Sequence, residues 1–459
     1  MLYIPKVNII RLSKIEQTVT ISRTEYESLL SSLASLQEEI RLLKNGNKSK
    51  TSHRAPSSDI GRSNGSSLRE KSGLKSGGQI GHEGNTLQMH SIPDKQEHHD
   101  VNYCNHCSQN LENTSATVVG KRQEIVIPPV AVEYVEHVIY SKTCCRCNKV
   151  TQSNFPANIT APIQYGGNVK AMVSYLSVYQ YLPMNRIVDI LKTIYGIELS
   201  EGTVANILTQ MARNAAQGYQ MIQQRIEQSK VVGSDETGSK IAGQKGWFHT
   251  WQNDRLTFIA ASLNRGYQTV AQYFADGFKK AVYISDCWAA QLKVAAMQHQ
   301  LCLVHLLREL NNFEAALQCK WSTELKQLFK EAIALKKNLN SLDYITTPKT
   351  VIAIQQKLKQ LLQINLENPH QKLKAFISRL QKHEQSILTF LFFEKVPYDN
   401  NGSERAIRNI KVKTKVSTNF RTFDGAQQFA IIRSVADTAI KNNQNVFLAL
   451  IAIANFIPE

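Results

Sequence analysis

Residues 230–264 read KVVGSDETGSKIAGQKGWFHTWQNDRLTFIAASLN, and this stretch decides the fold. Short runs rich in Val, Ile, Phe, Trp and Thr are separated by Gly, Asn and Asp turns, the signature of three strands joined by tight connections. A helix, TVAQYFADGF (269–278), precedes a fourth strand in AVYISDCWAA (281–290), and a further helix to about His299 leads into LCLVHLLREL (301–310).

Strand-strand-strand-helix-strand is the order of a ribonuclease-H-like α/β core. Asp235 ends the first strand of this reading and Asp286 ends the fourth. In that topology the two strands are neighbours, so both carboxylates stand at one end of the sheet. Glu236 follows Asp235, and strand alternation points it to the opposite face. Residues 311–395 then read as helix only, with Leu325, Leu328, Phe329 and Ala332, and later Ile354, Leu358 and Leu361, at helical spacing. This predicts an all-helical insertion within the core, whose first part is 229–310 and whose last part is 396–440.

After the insertion comes YDNNGSERAIRNIKVKTK (398–415). Asp399 to Ser403 make a turn and a helix start, and Glu404 lies in the first turn, on one face with Arg408 and Lys411. A surface that only binds an anion gains nothing from a carboxylate at its centre. Three carboxylates, Asp235, Asp286 and Glu404, carry about −3 and suit two Mg²⁺ (or Mn²⁺) ions, which take hard oxygen ligands and keep several waters. Such a pair bridges the attacking and leaving oxygens of a phosphodiester. Arg408, Lys411, Lys413, Lys415 and Arg421 then serve the phosphates. Taken alone, Glu404 and Arg408 are only an i, i+4 pair on a solvated helix; two strand-end aspartates in the expected order favour the metal reading.

The chain upstream reads as a string of accessory modules. Within 1–44, Tyr26, Leu29, Leu33, Leu36, Ile40 and Leu43 alternate spacings of three and four, a coiled-coil seam in a helix over 24–44 that favours self-association. Residues 45–98 almost lack large apolar side chains, and Arg41, Lys44, Lys48, Lys50, Arg54, Arg62, Arg69, Lys71 and Lys75 face only Asp59 and Glu70 up to Lys75. This is a basic flexible arm. In 99–155, Cys104, Cys107, Cys144 and Cys147 form two CxxC pairs 36 residues apart (144 − 107 − 1), flanking an alternating stretch from Val132 to Tyr140. Four thiolates in a small β-rich module suit one structural Zn²⁺, with Cys145 an alternative to Cys144. Residues 156–228 are helical: Ile187, Ile190, Leu191 and Ile194 make one face, Gly196 breaks it, Ser200 caps the next helix, and Val204, Ile207, Leu208 and Met211 follow. Two short helices about a Gly turn fit a helix-turn-helix and equally any helical hairpin. A C-terminal helix is expected over 441–459.

Bulk properties agree. The chain of 459 residues carries 54 Lys and Arg against 37 Asp and Glu, a net charge of +17 that suits a polyanionic partner, nucleic acid first. No apolar run reaches the roughly 18 residues of a membrane span. The N-terminus has no cleavage-site pattern, so a cytoplasmic protein is expected.

The order of these elements resembles the DDE transposases of the insertion-sequence sixty-six family over nearly the whole chain. The likeness rests on SSLREKSGLKSGGQIGHEG (66–84), the paired CxxC module, YGGNVKAMVSYLSVYQYLPMNRIVDIL (165–191), DETG (235–238), SDCWAAQ (285–291), CLVHLLREL (302–310) and YDNNGSERAIRNIKVKTKVSTNFRT (398–422). It implies a bacterial element's enzyme that binds inverted-repeat ends, cuts each and joins the freed 3′-OH to target DNA. It further implies Asp235, Asp286 and Glu404 as the catalytic triad, 51 (286 − 235) and 118 (404 − 286) residues apart. His305 and Arg308 match a Cys-x-x-His-x-x-Arg element that contacts the DNA. Double-stranded DNA, accessory proteins of the same element, and a working dimer or larger assembly at the nucleoid follow as expected partners and location. Downstream of Glu404, KTKVSTNFRTFDGAQQFAIIRSVADTAI (413–440) departs from the commonest family form, so DNA contacts there transfer less readily. Two other readings fit the same modules: a DNA-binding regulator with an inactive core, which would not need three acids, and a metal-dependent nuclease that cuts without joining.

Overall fold

The computed structural model describes residues 87–128, 130–367 and 369–456, with 24, 25, 27, 28, 30–33 and 81. The described residues among 24–33 are helical; the rest of the coiled-coil seam and most of the basic arm lie outside the described residues. In chain order the elements are β1 (Ser141–Thr143), β2 (Val150–Gln152), α1 (Gly167–Ser174) running into a π-turn (Tyr175–Tyr179), α2 (Met184–Tyr195) and α3 (Glu201–Glu227). Next come β3 (Val231–Ile241), β4 (Gln244–Gln252), β5 (Thr257–Ser262), α4 (Tyr267–Tyr273), β6 (Phe278–Ser285), α5 (Ala289–Leu292) and β7 (Ala296–Leu301). The helices α6 (Leu303–Leu317), α7 (Lys320–Asn338), α8 (Asp343–Thr346), α9 (Lys349–Gln363), α10 (Gln371–Lys382), α11 (Asn401–Ser417), α12 (Phe423–Lys441) and α13 (Val446–Asn455) complete the chain.

Two compact units result. One holds the described residues from 81 to Gln164 together with Met184–Ala205; the other holds the described residues among 24–33, Tyr165–Pro183 and the chain from Asn206 on. In the first unit, β1 and β2 pair antiparallel. The alternating stretch from Val132 to Tyr140, expected as strand, forms no ladder and is largely exposed. Alternation predicts a strand only where a partner strand and a core exist to bury its apolar side. Around Gly196 the sequence acts as expected: its φ is +64°, and its N–H and that of Ile197 close on the carbonyls of Lys192 and Leu191, both at 3.0 Å. Ser200 Oγ accepts the Thr203 N–H at 3.1 Å. The helix that follows, expected to be short, runs 27 residues.

The second unit is built on a five-stranded mixed sheet of order β5-β4-β3-β6-β7. β3, β4 and β5 are antiparallel neighbours, while β3–β6 and β6–β7 are parallel. β6 is buried on both faces, as a central parallel strand must be. Val282 and Ile284 join the core formed with α6, α7, α9 and α10, and Ala281 and Tyr283 join that of Tyr219, Ile222 and Ile226 of α3. The insertion is therefore helical, as read, and packs on one face of the sheet. The helix expected up to His299 is instead the short α5 followed by β7. Ala, Met and Gln in 295–300 have good helix propensity, but β6 offers an open ladder and tertiary pairing overrides it.

The free edge of the sheet is closed without a strand. The N–H groups of Thr257, Ile259 and Ala261 on β5 donate to Thr438 Oγ1 (3.1 Å), Ser434 Oγ (2.9 Å) and Gln427 Oε1 (3.2 Å), all on α12. Alternate amides of an edge strand point outward, and three polar side chains at helical spacing meet them.

Candidate active site

Asp235 does not end its strand. β3 continues to Ile241 because it forms a long hairpin with β4, where Asp235 opposes Thr250. Its parallel pairing with β6, however, covers only Val231–Gly233, with Gly233 opposite Ile284. Two residues further along each strand stand Asp235 and Asp286, in register just past the end of the parallel ladder. Asp286 Oδ1 accepts the N–H of Trp288 at 2.9 Å, which fixes the turn leaving β6.

Strand alternation sorts β3. Ser239 Oγ lies 3.2 Å from Thr414 Oγ1 of α11, so the odd-numbered side, with Asp235, faces that helix. Glu236 takes the other face, where its carboxylate accepts Arg265 Nε at 3.0 Å and Gln291 Nε2 at 2.7 Å.

The start of α11 is held against β3 by a buried polar knot. Asn400 Nδ2 donates to the Ser234 carbonyl at 2.7 Å, and Ser403 Oγ donates to Asn400 Oδ1 at 2.7 Å. The Asn400 N–H reaches Cys302 Sγ at 3.2 Å, and the Leu303 N–H donates to the Tyr398 carbonyl at 2.9 Å. Burial holds the Cys302 thiol protonated, with its pKa pushed up to about 12. Glycine makes the approach possible: a methyl on Gly233 would lie 2.5 Å from Gln252 Nε2, 2.7 Å from Asn400 Oδ1 and 3.0 Å from Ser403 Oγ. None of Gly233, Asn400 and Cys302 stood out as functional in the sequence. The signals available are the asparagines of DNN, which read as a turn, and Cys302 as the first residue of the Cys-x-x-His-x-x-Arg element.

This docking sets Glu404 over the strand ends and next to α6. Arg308 Nη1 donates to Glu404 Oε1 at 3.3 Å, and His305 Nε2 lies 3.7 Å from the same oxygen. The Asp235 carboxyl is pushed well up, first by burial, then by the charges of Asp286, Glu236 and Glu404, while the Glu236 N–H pulls it the other way. Lys411 is half-buried and its pKa is lowered by burial, against the attraction of Asp235 and Glu404.

The expected residues therefore divide. Asp235, Asp286, Glu404, His305, Arg308 and Lys411 come together. Arg408, Lys415 and Arg421 are exposed. Lys413 does not face solvent as a phosphate contact should. Its ammonium donates to the carbonyls of Ser177 (3.2 Å), Tyr181 (3.4 Å) and Leu182 (3.2 Å). Burial lowers its pKa to about 8. Tyr181 has a φ of +63°, and the Lys413 side chain ties down carbonyls at the irregular end of the π-turn.

In the other unit the two CxxC segments repeat one turn geometry. The Cys104 N–H donates to the Gln109 carbonyl and the Ser108 N–H to the Cys104 carbonyl; the Cys144 N–H donates to Lys149 and the Asn148 N–H to Cys144, all at 2.9 Å. Ser108 and Asn148 both take positive φ, 59° and 52°. Backbone donors from the next residues lower the thiol pKa of Cys104 and of Cys144. By this correspondence Cys144, not Cys145, is the equivalent of Cys104.

Among the described residues no group of three or more His, Cys, Asp or Glu side chains is close enough to hold a metal ion. The acids nevertheless fit a divalent ion in kind and in charge. They are hard oxygen donors, and the crowding that raises the Asp235 pKa is what a cation would relieve.

A search of curated proteins gives no match. The family model described as "Transposase IS66 family" matches residues 162–428, more than half of the chain.

Proposed function

This chain belongs to the IS66 family of transposases, and on that premise we propose that it cuts the inverted-repeat ends of its element and joins them to target DNA at a site made by Asp235, Asp286 and Glu404. The observation that carries the reading is that Asp235 and Asp286 each stand two residues beyond the last paired residues of the parallel ladder, Gly233 and Ile284, and that the Asp235 carboxyl is raised first by burial and then by the charges of Asp286, Glu236 and, more weakly, Glu404 of α11. The strand order, with antiparallel β3–β4–β5 and parallel β3–β6–β7, supports a ribonuclease-H-like core. A regulator with an inactive core would not need the three acids; a nuclease that cuts without joining would use them in the same way and differs only in its products.

Asp235, Asp286 and Glu404 would hold two Mg²⁺ or Mn²⁺ ions. Such ions would supply Lewis-acid activation of the attacking oxygen and stabilisation of the leaving one of a phosphodiester. The remaining work falls to side chains. Arg308, paired with Glu404 at 3.3 Å, moves to a phosphate of the entering strand and frees the carboxylate. Lys411 offsets charge between the acids. Arg408, Lys415 and Arg421 track the backbone of the duplex. His305 orients the strand or a water from beside Glu404. One structural Zn²⁺ on Cys104, Cys107, Cys144 and Cys147 is supported by the repeated turn geometry. Two ends must be cut together, so a dimer or larger assembly, with accessory proteins of the same element, completes the scheme.

The test is mobility of a marked mini-element bounded by the gene's own repeats, with neighbouring genes supplied and protein levels checked. Movement with wild type and none with Asp235→Asn, Asp286→Asn or Glu404→Gln is expected. Movement that survives Glu404→Gln removes that residue from the site. Analysis of purified reaction products then separates joining from cutting alone.

A further inference from the structure

One side-chain array beside the acids does something the strand-cutting chemistry leaves unexplained. The Arg265 guanidinium carbon lies 4.0 Å from the centre of the Trp288 ring and 4.8 Å from that of Trp247. Lys245 Nζ lies over Trp247 at 4.9 Å. The array is anchored from below. Arg265 Nε and Nη2 both donate to Glu236 Oε1, at 3.0 and 2.9 Å. Gln291 Nε2 donates to Glu236 Oε2 at 2.7 Å, and the buried Tyr283 hydroxyl donates to Gln291 Oε1 at 2.6 Å.

Glu236 is 1% exposed and already answers the charge of Arg265. Two of the five guanidinium N–H donors go to Glu236, which fixes the cation against the indoles. Trp288 keeps 39% of its surface exposed, so a ring held by a fixed cation still offers area for a second partner. It stands two residues from Asp286, and its backbone N–H donates to that carboxylate. A large rigid aromatic, exposed at the edge of a site that handles a nucleic-acid strand, has one fitting partner: every base has a π-face, and stacking on an aromatic side chain is indifferent to sequence. An unpaired base is needed for this, since paired bases are already stacked.

We propose that Trp288, held by Arg265 and Glu236, is the platform on which one unpaired nucleobase of the strand being cut is stacked, with Lys245, which lies over Trp247, for a phosphate further along the strand. The proposal rests on the reading of Asp286 as an active-site acid, but its test reads binding and not cleavage. The full-length protein would be titrated, without divalent ions, with fluorescent oligothymidylate and with an abasic strand of equal length and charge. Wild type should prefer the base-bearing strand. Trp288→Leu should lower its affinity for oligothymidylate about ten-fold, leave the abasic strand bound as before and so erase the preference. Trp288→Phe should retain most of it. Glu404→Gln, inert in cutting by the reading above, should keep the preference intact, so a failure of the catalytic assignment leaves this result unaffected. Equal loss on both strands, or no loss on either, overturns the proposal. So does a lowered melting temperature of Trp288→Leu with the preference unchanged, which would make the array a clamp for the β6–α5 turn.

Discussion

Gly233→Ala probes how α11 is set on the sheet. The added methyl would meet Gln252 Nε2 at 2.5 Å, whereas ordinary contact begins at 3.4 Å. The shortfall is about 0.9 Å (3.4 − 2.5). Gln252 cannot give way freely, because its Oε1 accepts Lys441 Nζ at 2.8 Å and its Nε2 donates to Ser403 Oγ at 3.3 Å. The other two obstacles, Asn400 and Ser403, belong to the start of α11. Relief therefore moves the helix, and Glu404 follows Ser403. Overpacking of this kind costs about 1–3 kcal/mol in stability. A displacement near 1 Å at a reacting centre costs on the order of 100-fold in rate. We expect Gly233→Ala to fold, to melt earlier, and to cut a terminal-repeat duplex about 100-fold more slowly with saturating Mg²⁺. Gly218→Ala in α3, whose methyl meets nothing within 4 Å, should keep its rate and gain about 0.5–1 kcal/mol. Circular dichroism melts and single-turnover cleavage measure both. A wild-type rate in Gly233→Ala would refute the argument that this contact positions the third acid.

Other outcomes follow from the same geometry. The Asp235 pKa is raised by burial and like charges, so the native state binds more protons than the unfolded chain and stability falls as pH rises above the ordinary carboxylate range. Asp235→Asn should therefore raise the melting temperature at neutral pH, with the gain vanishing in acid, while cleavage drops by about 100-fold or more. Lys413→Met should destabilise the protein, since three carbonyls lose their donor, yet leave the salt dependence of DNA binding unchanged. Lys415→Ala should do the reverse, lowering affinity with a salt slope smaller by about 1. Zinc measured by atomic absorption on purified protein should fall in Cys144→Ser and stay in Cys145→Ser.

What the sequence discloses is what short-range pattern encodes. Alternation placed β3, β4, β5 and β6, and helical spacing placed the insertion. The register that sets Asp235 beside Asp286 follows once β3 and β6 are neighbours. Pattern fails where a distant partner decides. β7 is a strand only because β6 is there to pair with it, and Val132 to Tyr140 is not one for want of such a neighbour. Lys413 looks like its basic neighbours on α11, but its position on the helix turns it to the carbonyls after the π-turn. The knot of Asn400, Ser403, Gly233 and Cys302 and the Glu236–Arg265–Trp288 array join residues far apart in the chain, which neither period nor propensity records.

The closing of the β5 edge by α12 has a consequence for how the protein comes into being. The outward amide of Ala261 waits for Gln427, 166 residues later. At about 5–20 residues per second of synthesis, that interval is roughly 8–33 s. Throughout it the emerging chain carries an open strand edge, the kind of surface that recruits another chain, and for most of it Glu404 has yet to be made. On the proposed site, a half-made molecule would thus be unable to cut DNA and prone to self-association. Premature termination within the insertion should accordingly yield aggregates with no cutting activity, so an unfinished copy does no damage to the genome that encodes it.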